Sequence, residues 1–174
     1  NKRVFITGGG SGIGASIVEH FCEQGSEVYF VDINLKETKK LLNKIKKNKF
    51  RAPIFIECNL LDINKLEKII RNIITQKGPI HALINNAAND DRHTTDEVDE
   101  KYWENRIAIN LKHYFFAAKA VVKSMKKIKA GSIVNLSSVS WMLGEGDKVV
   151  YETAKSAVVG LTRSFAQELS LIHI

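Results

Sequence analysis

A parallel sheet covered by helices on both faces, an α/β fold, is predicted for this 174-residue chain by three observations. Short apolar runs alternate with amphipathic stretches along the chain, the pattern of right-handed strand–helix–strand crossovers. A glycine-rich turn, "TGGGSGIG" from Thr7 to Gly14, joins the first apolar run to the first helical stretch. The residues after each strand-like run are small, polar or glycine-rich: Gly8 to Gly14, Asp32, Asn59, Asn85 to His93 and Ser137 to Trp141. Ligands of such folds bind at the carboxyl ends of the strands, so these residues define a candidate site.

The elements follow in order. "RVFIT" is a short apolar strand, and a helix runs from about Gly12 to Gln24, ended by Gly25. "EVYFVD" is the second strand. In "LKETKKLLNKIKKNKFR", Leu35, Leu41, Leu42 and Ile45 mark one apolar helix face and lysines cover the rest. "APIFIE" is the third strand. Leu66, Ile69, Ile70, Ile73 and Ile74 recur at i, i+3, i+4 and i+7, which predicts a helix that Gly78-Pro79 breaks. "HALIN" is the fourth strand, and a polar loop leads to one long helix from roughly Tyr102 to Lys127. "GSIVNLS" is the fifth strand, before a final helix from about Val149 to Glu168.

Composition narrows the function class. A hydrophobic content of 44% and a charged content of 26% fit a single globular domain. The apolar run "YFFAAKAVV" is too short to span a bilayer and carries Lys119, so no membrane role is expected. Cys22 and Cys58 fall inside predicted elements and make no disulfide framework, which suggests a cytoplasmic location. The net charge of +7 is concentrated in the lysine-rich helix, where arginines and aromatics that read or stack on bases are scarce. A solvated outer face is expected there, not nucleic-acid binding. No metal site is expected either.

Three motifs carry chemistry. The glycines of "TGGGSGIG" let the backbone approach a phosphate, and the helix that follows offers N–H groups and a positive dipole end. Asp32 ends the second strand, where a carboxylate accepts hydrogen bonds from an adenosine ribose and repels a 2′-phosphate. That favours NAD over NADP; a helix-capping Asp is the plainer alternative. In "YETAK", Tyr151 and Lys155 lie one helical turn apart, so an ammonium can ease ionisation of a phenol. The pair is common by chance and gains meaning only from its company.

The spacing T-G-x-x-x-G-x-G, "NNAA" at 85–88, Asn110 in the long helix, "NLSS" at 135–138 and "YETAK" together resemble the short-chain dehydrogenase/reductase family. The resemblance covers essentially the whole chain and implies a Rossmann-type doubly wound parallel sheet of order 3-2-1-4-5. It further implies a catalytic tetrad of Asn110, Ser138, Tyr151 and Lys155. Lys155 would also bind the nicotinamide ribose, and Asn110 would position a water in a proton relay. Cofactor contacts are implied for Gly8, Ser11, Gly12, Ile13, Gly14, Asp32, Ile33, Asn59, Leu60, Asn86, Ala87 and Ala88, beside Tyr151 and Lys155. Asn59 stands where the family often has Asp, and Ala88 stands where a glycine is usual.

Asn89, Asp90, His93 and Trp141, with Ser138 and Tyr151, are the candidate substrate contacts. The stretches "NAAND", "RH" and "SWMLG" resemble the NAD-dependent aldose 1-dehydrogenases of the family, which oxidise a sugar to its lactone. A reductase of 3-oxoacyl or steroid ketones, or a non-catalytic nucleotide-binding protein, is the alternative. Family members commonly pair the helices corresponding to 102–127 and 149–168 across subunits, so a homodimer or homotetramer is expected. The family also continues past its last helix with two strands and a substrate lid. Residues 1–168 are therefore expected to be an incomplete domain lacking its last strands, and residues 169–174 ("LSLIHI") a non-native tail.

Overall fold

The computed structural model describes residues 2–170. Five strands, β1 (Arg3–Thr7), β2 (Glu27–Asp32), β3 (Ile54–Glu57), β4 (Ala82–Asn85) and β5 (Ser132–Asn135), form one parallel sheet of order β3-β2-β1-β4-β5. The expected order is the one observed. Side chains alternate across the sheet. Val4, Ile6, Phe30 and Ile84 pack beneath α1 (Gly12–Glu23) and α2 (Leu35–Lys47). On the opposite face, Phe5, Val31 and Leu83 pack with Leu66 and Ile70 of α3 (Ile63–Lys77) and with Ala117 and Val121 of α5 (His113–Ile128).

Several boundaries differ from expectation. β3 begins at Ile54, two residues late, because Pro53 has no N–H for the ladder. β4 and β5 are trimmed to Ala82–Asn85 and Ser132–Asn135. The single long helix is a composite: α4 (Glu100–Ile107) passes through a π-helical turn, Ala108–Lys112, into α5. Asp99 caps its start by accepting from the Tyr102 N–H at 2.7 Å. Two short elements were not expected, a 3-10 turn at Thr95–Glu97 and α6 (Ser140–Leu143). The last helix, α7, spans Val149–Ser170 and so runs two residues into the expected tail; the rest of that tail lies outside the described residues.

All five strands point their carboxyl ends to one edge, which gathers the loops at 8–14, 32–34, 58–60, 86–93 and 136–141. Along the outer side of β5, Val122, Met125, Ile133 and Phe165 line an open apolar groove of about 450 Å³.

Candidate active site

The loops after β1 and β4 are fastened together by Thr7. Its Oγ1 accepts from the N–H groups of Asn86 (3.1 Å) and Ala87 (3.2 Å), while Asn86 Nδ2 donates back to the carbonyls of Thr7 (3.0 Å) and Gly8 (2.9 Å). The turn after β1 needs glycine for two reasons. Gly8 and Gly12 have φ of 66° and 52°, the left-handed region. Gly14 is constrained by space instead: a Cβ there would stand 1.9 Å from the Gly8 carbonyl oxygen. Ser11 begins α1 without a side-chain cap, which leaves the first-turn N–H groups for an anionic ligand.

Asp32 does not cap α2. Asn34 does, accepting from the Glu37 N–H at 3.1 Å. The Asp32 carboxylate instead accepts from the Gly10 N–H (2.7 Å) and the Asn34 N–H (2.8 Å), which fixes it beside the glycine turn. Asn59 Oδ1 accepts from the Leu61 N–H at 3.0 Å. Every cofactor candidate from Gly8 to Ala88 lines one open cleft of about 480 Å³, and Cys58, Asn89, Asp90 and Ile109 complete its wall. Cys58 and Ile109 had no signal of their own in the sequence; each precedes a residue that did.

The tetrad candidates lie on three elements. Asn110 is fully buried within the π turn, where its Oδ1 accepts from the Asn89 N–H (2.8 Å) and its Nδ2 donates to the Asn89 carbonyl (2.9 Å). The side chain thus clamps the backbone of the β4 loop. Tyr151 sits half-buried in the first turn of α7. One turn on, Lys155 is buried, with Nζ 5.7 Å from the Tyr151 ring centroid and donating to the Leu136 carbonyl (2.7 Å) and the Tyr114 hydroxyl (2.8 Å). Burial pulls the Lys155 ammonium down to about 8, because an apolar surrounding disfavours the charged form. Ser138 Oγ pairs with Ser140 Oγ at 2.9 Å, and Ser137 Oγ donates to the Lys155 carbonyl at 2.7 Å, tying the β5 loop to α7. Tyr114 was not singled out by sequence, although a His-Tyr pair inside an apolar helix is an unusual place for two polar rings.

Of the substrate candidates, Asn89 and Asp90 line the cleft, and Trp141 is half-buried in α6. His93 is not among the residues that line that cleft. Its side chain is buried; Nε2 accepts from the Val150 N–H (3.3 Å) and Nδ1 faces the Tyr102 hydroxyl (2.9 Å) and the Asp91 carbonyl (3.1 Å). Both ring nitrogens are engaged by the protein, so the imidazole fastens the loop to α4 and α7. Arg92 and Asp147 form an ion pair on the outside of the same junction.

The family model for short chain dehydrogenases matches residues 2–174. The chain belongs to this family. Among its short-chain dehydrogenase relatives, D-xylose 1-dehydrogenase of Caulobacter vibrioides is 42% identical over 97% of this chain and 66% of the relative. A protein named probable galactose dehydrogenase GalD, from Rhizobium meliloti, is 38% identical over the same shares. The chain therefore spans just under two thirds of the length of these relatives. The crystal structure of the Cj0485 dehydrogenase superposes with a TM-score of 0.86 at 29% identity, over 99% of this chain and 65% of that one.

Proposed function

We propose that the protein belonging to this chain oxidises the C1 hydroxyl of an aldose to a lactone, with NAD as the hydride acceptor. The observation that carries the proposal is the Tyr151–Lys155 pair, a phenol and a buried ammonium one turn apart in α7, with the ammonium nitrogen 5.7 Å from the phenol ring centroid. Sugar as substrate is supported by the relatives named for xylose and galactose, and by the amide and carboxylate of Asn89 and Asp90 on the cleft wall. A site that hydrogen-bonds hydroxyls rejects apolar analogues strongly.

The cleft fits a dinucleotide: an uncapped helix start for the pyrophosphate, glycines that leave room for it, and a carboxylate at the end of β2. NAD, when bound, supplies the acceptor for the hydride from C1. Tyr151 takes the proton of the sugar hydroxyl as general base, with the Lys155 ammonium 5.7 Å from its ring centroid. Ser138 donates to the reacting oxygen. Asn110 holds the Asn89 backbone, and so the wall against which the sugar lies. Asp32 orients the adenosine ribose and repels a 2′-phosphate, which favours NAD. Assembly as a homodimer or homotetramer through α5 and α7 completes the proposal, supported by half-exposed Phe115 stacked on Phe165 (5.7 Å, 20°).

The test uses full-length enzyme against a panel of aldoses and ketones with NAD and NADP. Aldose-dependent NAD reduction is expected, and Tyr151→Phe should lower kcat by at least roughly 10²-fold with NAD binding retained. A preference for NADPH and an apolar ketone would overturn the sugar assignment.

A further inference from the structure

The pair His113–Tyr114, just past the π turn, puts an imidazole and a phenol in the core with no solvent exposure. Buried polar groups persist where they are satisfied, so the partners of Tyr114 are informative. Its hydroxyl accepts from Lys155 Nζ at 2.8 Å and donates to the Leu136 carbonyl at 3.0 Å, with the Ala87 carbonyl at 3.4 Å. Lys155 Nζ also donates to the Leu136 carbonyl at 2.7 Å. An ammonium carries three N–H groups, and among the described residues two are directed at these acceptors on its buried side. One remains. The ammonium lies 5.0 Å from the Tyr114 ring centroid and 5.7 Å from that of Tyr151, flanked by two phenols.

We propose that Tyr114 is a positioning residue for proton transfer: its hydroxyl anchors the Lys155 ammonium from behind, so that the remaining N–H is held towards Tyr151 and the cofactor cleft. The inference rests on the reading of Tyr151 as the base. Burial, followed by the neighbouring Tyr151, pushes the Tyr114 phenol well above its usual range, so it stays a neutral hydroxyl and does not rival Tyr151. Burial and then the Lys155 charge push His113 down to about 3, so the adjacent imidazole is neutral and does not repel the ammonium. Tyr114 in turn donates to a carbonyl, which cannot pass a proton on. The anchor therefore fixes the charge without draining it.

A double-mutant cycle in the full-length enzyme tests this, with Tyr151→Phe measured alongside. Tyr114→Phe keeps the ring and removes the acceptor. It should lower kcat by roughly 10- to 100-fold, as expected for a hydrogen bond to a charged group, with KM for NAD changed less than about 3-fold. In a Lys155→Met background the same substitution should change kcat by less than about 2-fold, because nothing is left to position. Equal losses in both backgrounds, or no loss in either, would overturn the proposal. Should Tyr114→Phe fail to bind NAD, 3-fluorotyrosine incorporated at position 114 retains the hydroxyl as a weaker acceptor; a lowered kcat supports the anchor and an unchanged one overturns it. If Tyr151→Phe leaves turnover intact, the catalytic reading itself fails, which separates the two outcomes.

Discussion

Gly12 and Gly14 stand two residues apart in one turn and are glycine for different reasons. A Cβ at Gly12 meets nothing within 4 Å, and only its φ of 52° resists a side chain, at about 1–2 kcal/mol. At Gly14 the same atom collides with the Gly8 carbonyl and with Asn86 Nδ2 at 2.6 Å, the bond that joins the β1 turn to the β4 loop. Gly14→Ala should therefore weaken NAD binding by at least roughly 10-fold, and Gly12→Ala by clearly less, in a fluorescence titration of the full-length protein. Equal effects would show that backbone conformation, not space, governs the turn. The motif was legible as a string, but which glycine is limited by space and which by φ depends on Asn86, 72 positions beyond Gly14.

The composite helix α4–π–α5 shows why an element can be readable and its purpose not. The apolar spacing forecast a helix over 102–127 and one spans 100–128, since Asp99 and the apolar face are local signals. The π turn at 108–112 leaves no such mark. It widens the helix by one residue where Asn110 turns to clamp Asn89, and only that distant contact explains it. The same holds for Tyr114, whose partner Lys155 is 41 positions away on α7, and for His93, whose ring accepts from the Val150 N–H 57 positions on. α5 also enters the core through His113, neutral when folded. Its folded value of about 3 lies below the unfolded 6.5, so this contribution to stability is complete above 6.5 and lost as the pH falls towards 3. The unfolding free energy should drop across that window, as the pH falls, with a slope of up to about 1.4 kcal/mol per pH unit from this group. His113→Gln should flatten the drop; an unchanged slope would remove His113 from the account.

For the molecule as a whole, no helix among the described residues is long and apolar enough to cross a membrane. The patch around Phe115 and Phe165 lies across α5 and α7, and burying it in a subunit contact would remove two aromatic faces from water. Light scattering of the full-length protein at micromolar concentration should report a dimer or tetramer, and Phe115→Glu should shift it towards monomer. A native protein that is monomeric at that concentration would count against the assembly. One consequence of the His93 junction reaches beyond the loop it holds. The His93 N–H donates to the Asp147 carbonyl at 2.6 Å, its ring receives the Val150 N–H, and Ser137 grips the carbonyl of Lys155. A machinist would say that Tyr151 is located from two separate datum points, one on the β4 loop and one on the β5 loop. The start of α7, and Tyr151 with it, is thereby tied to both loops and not to one alone.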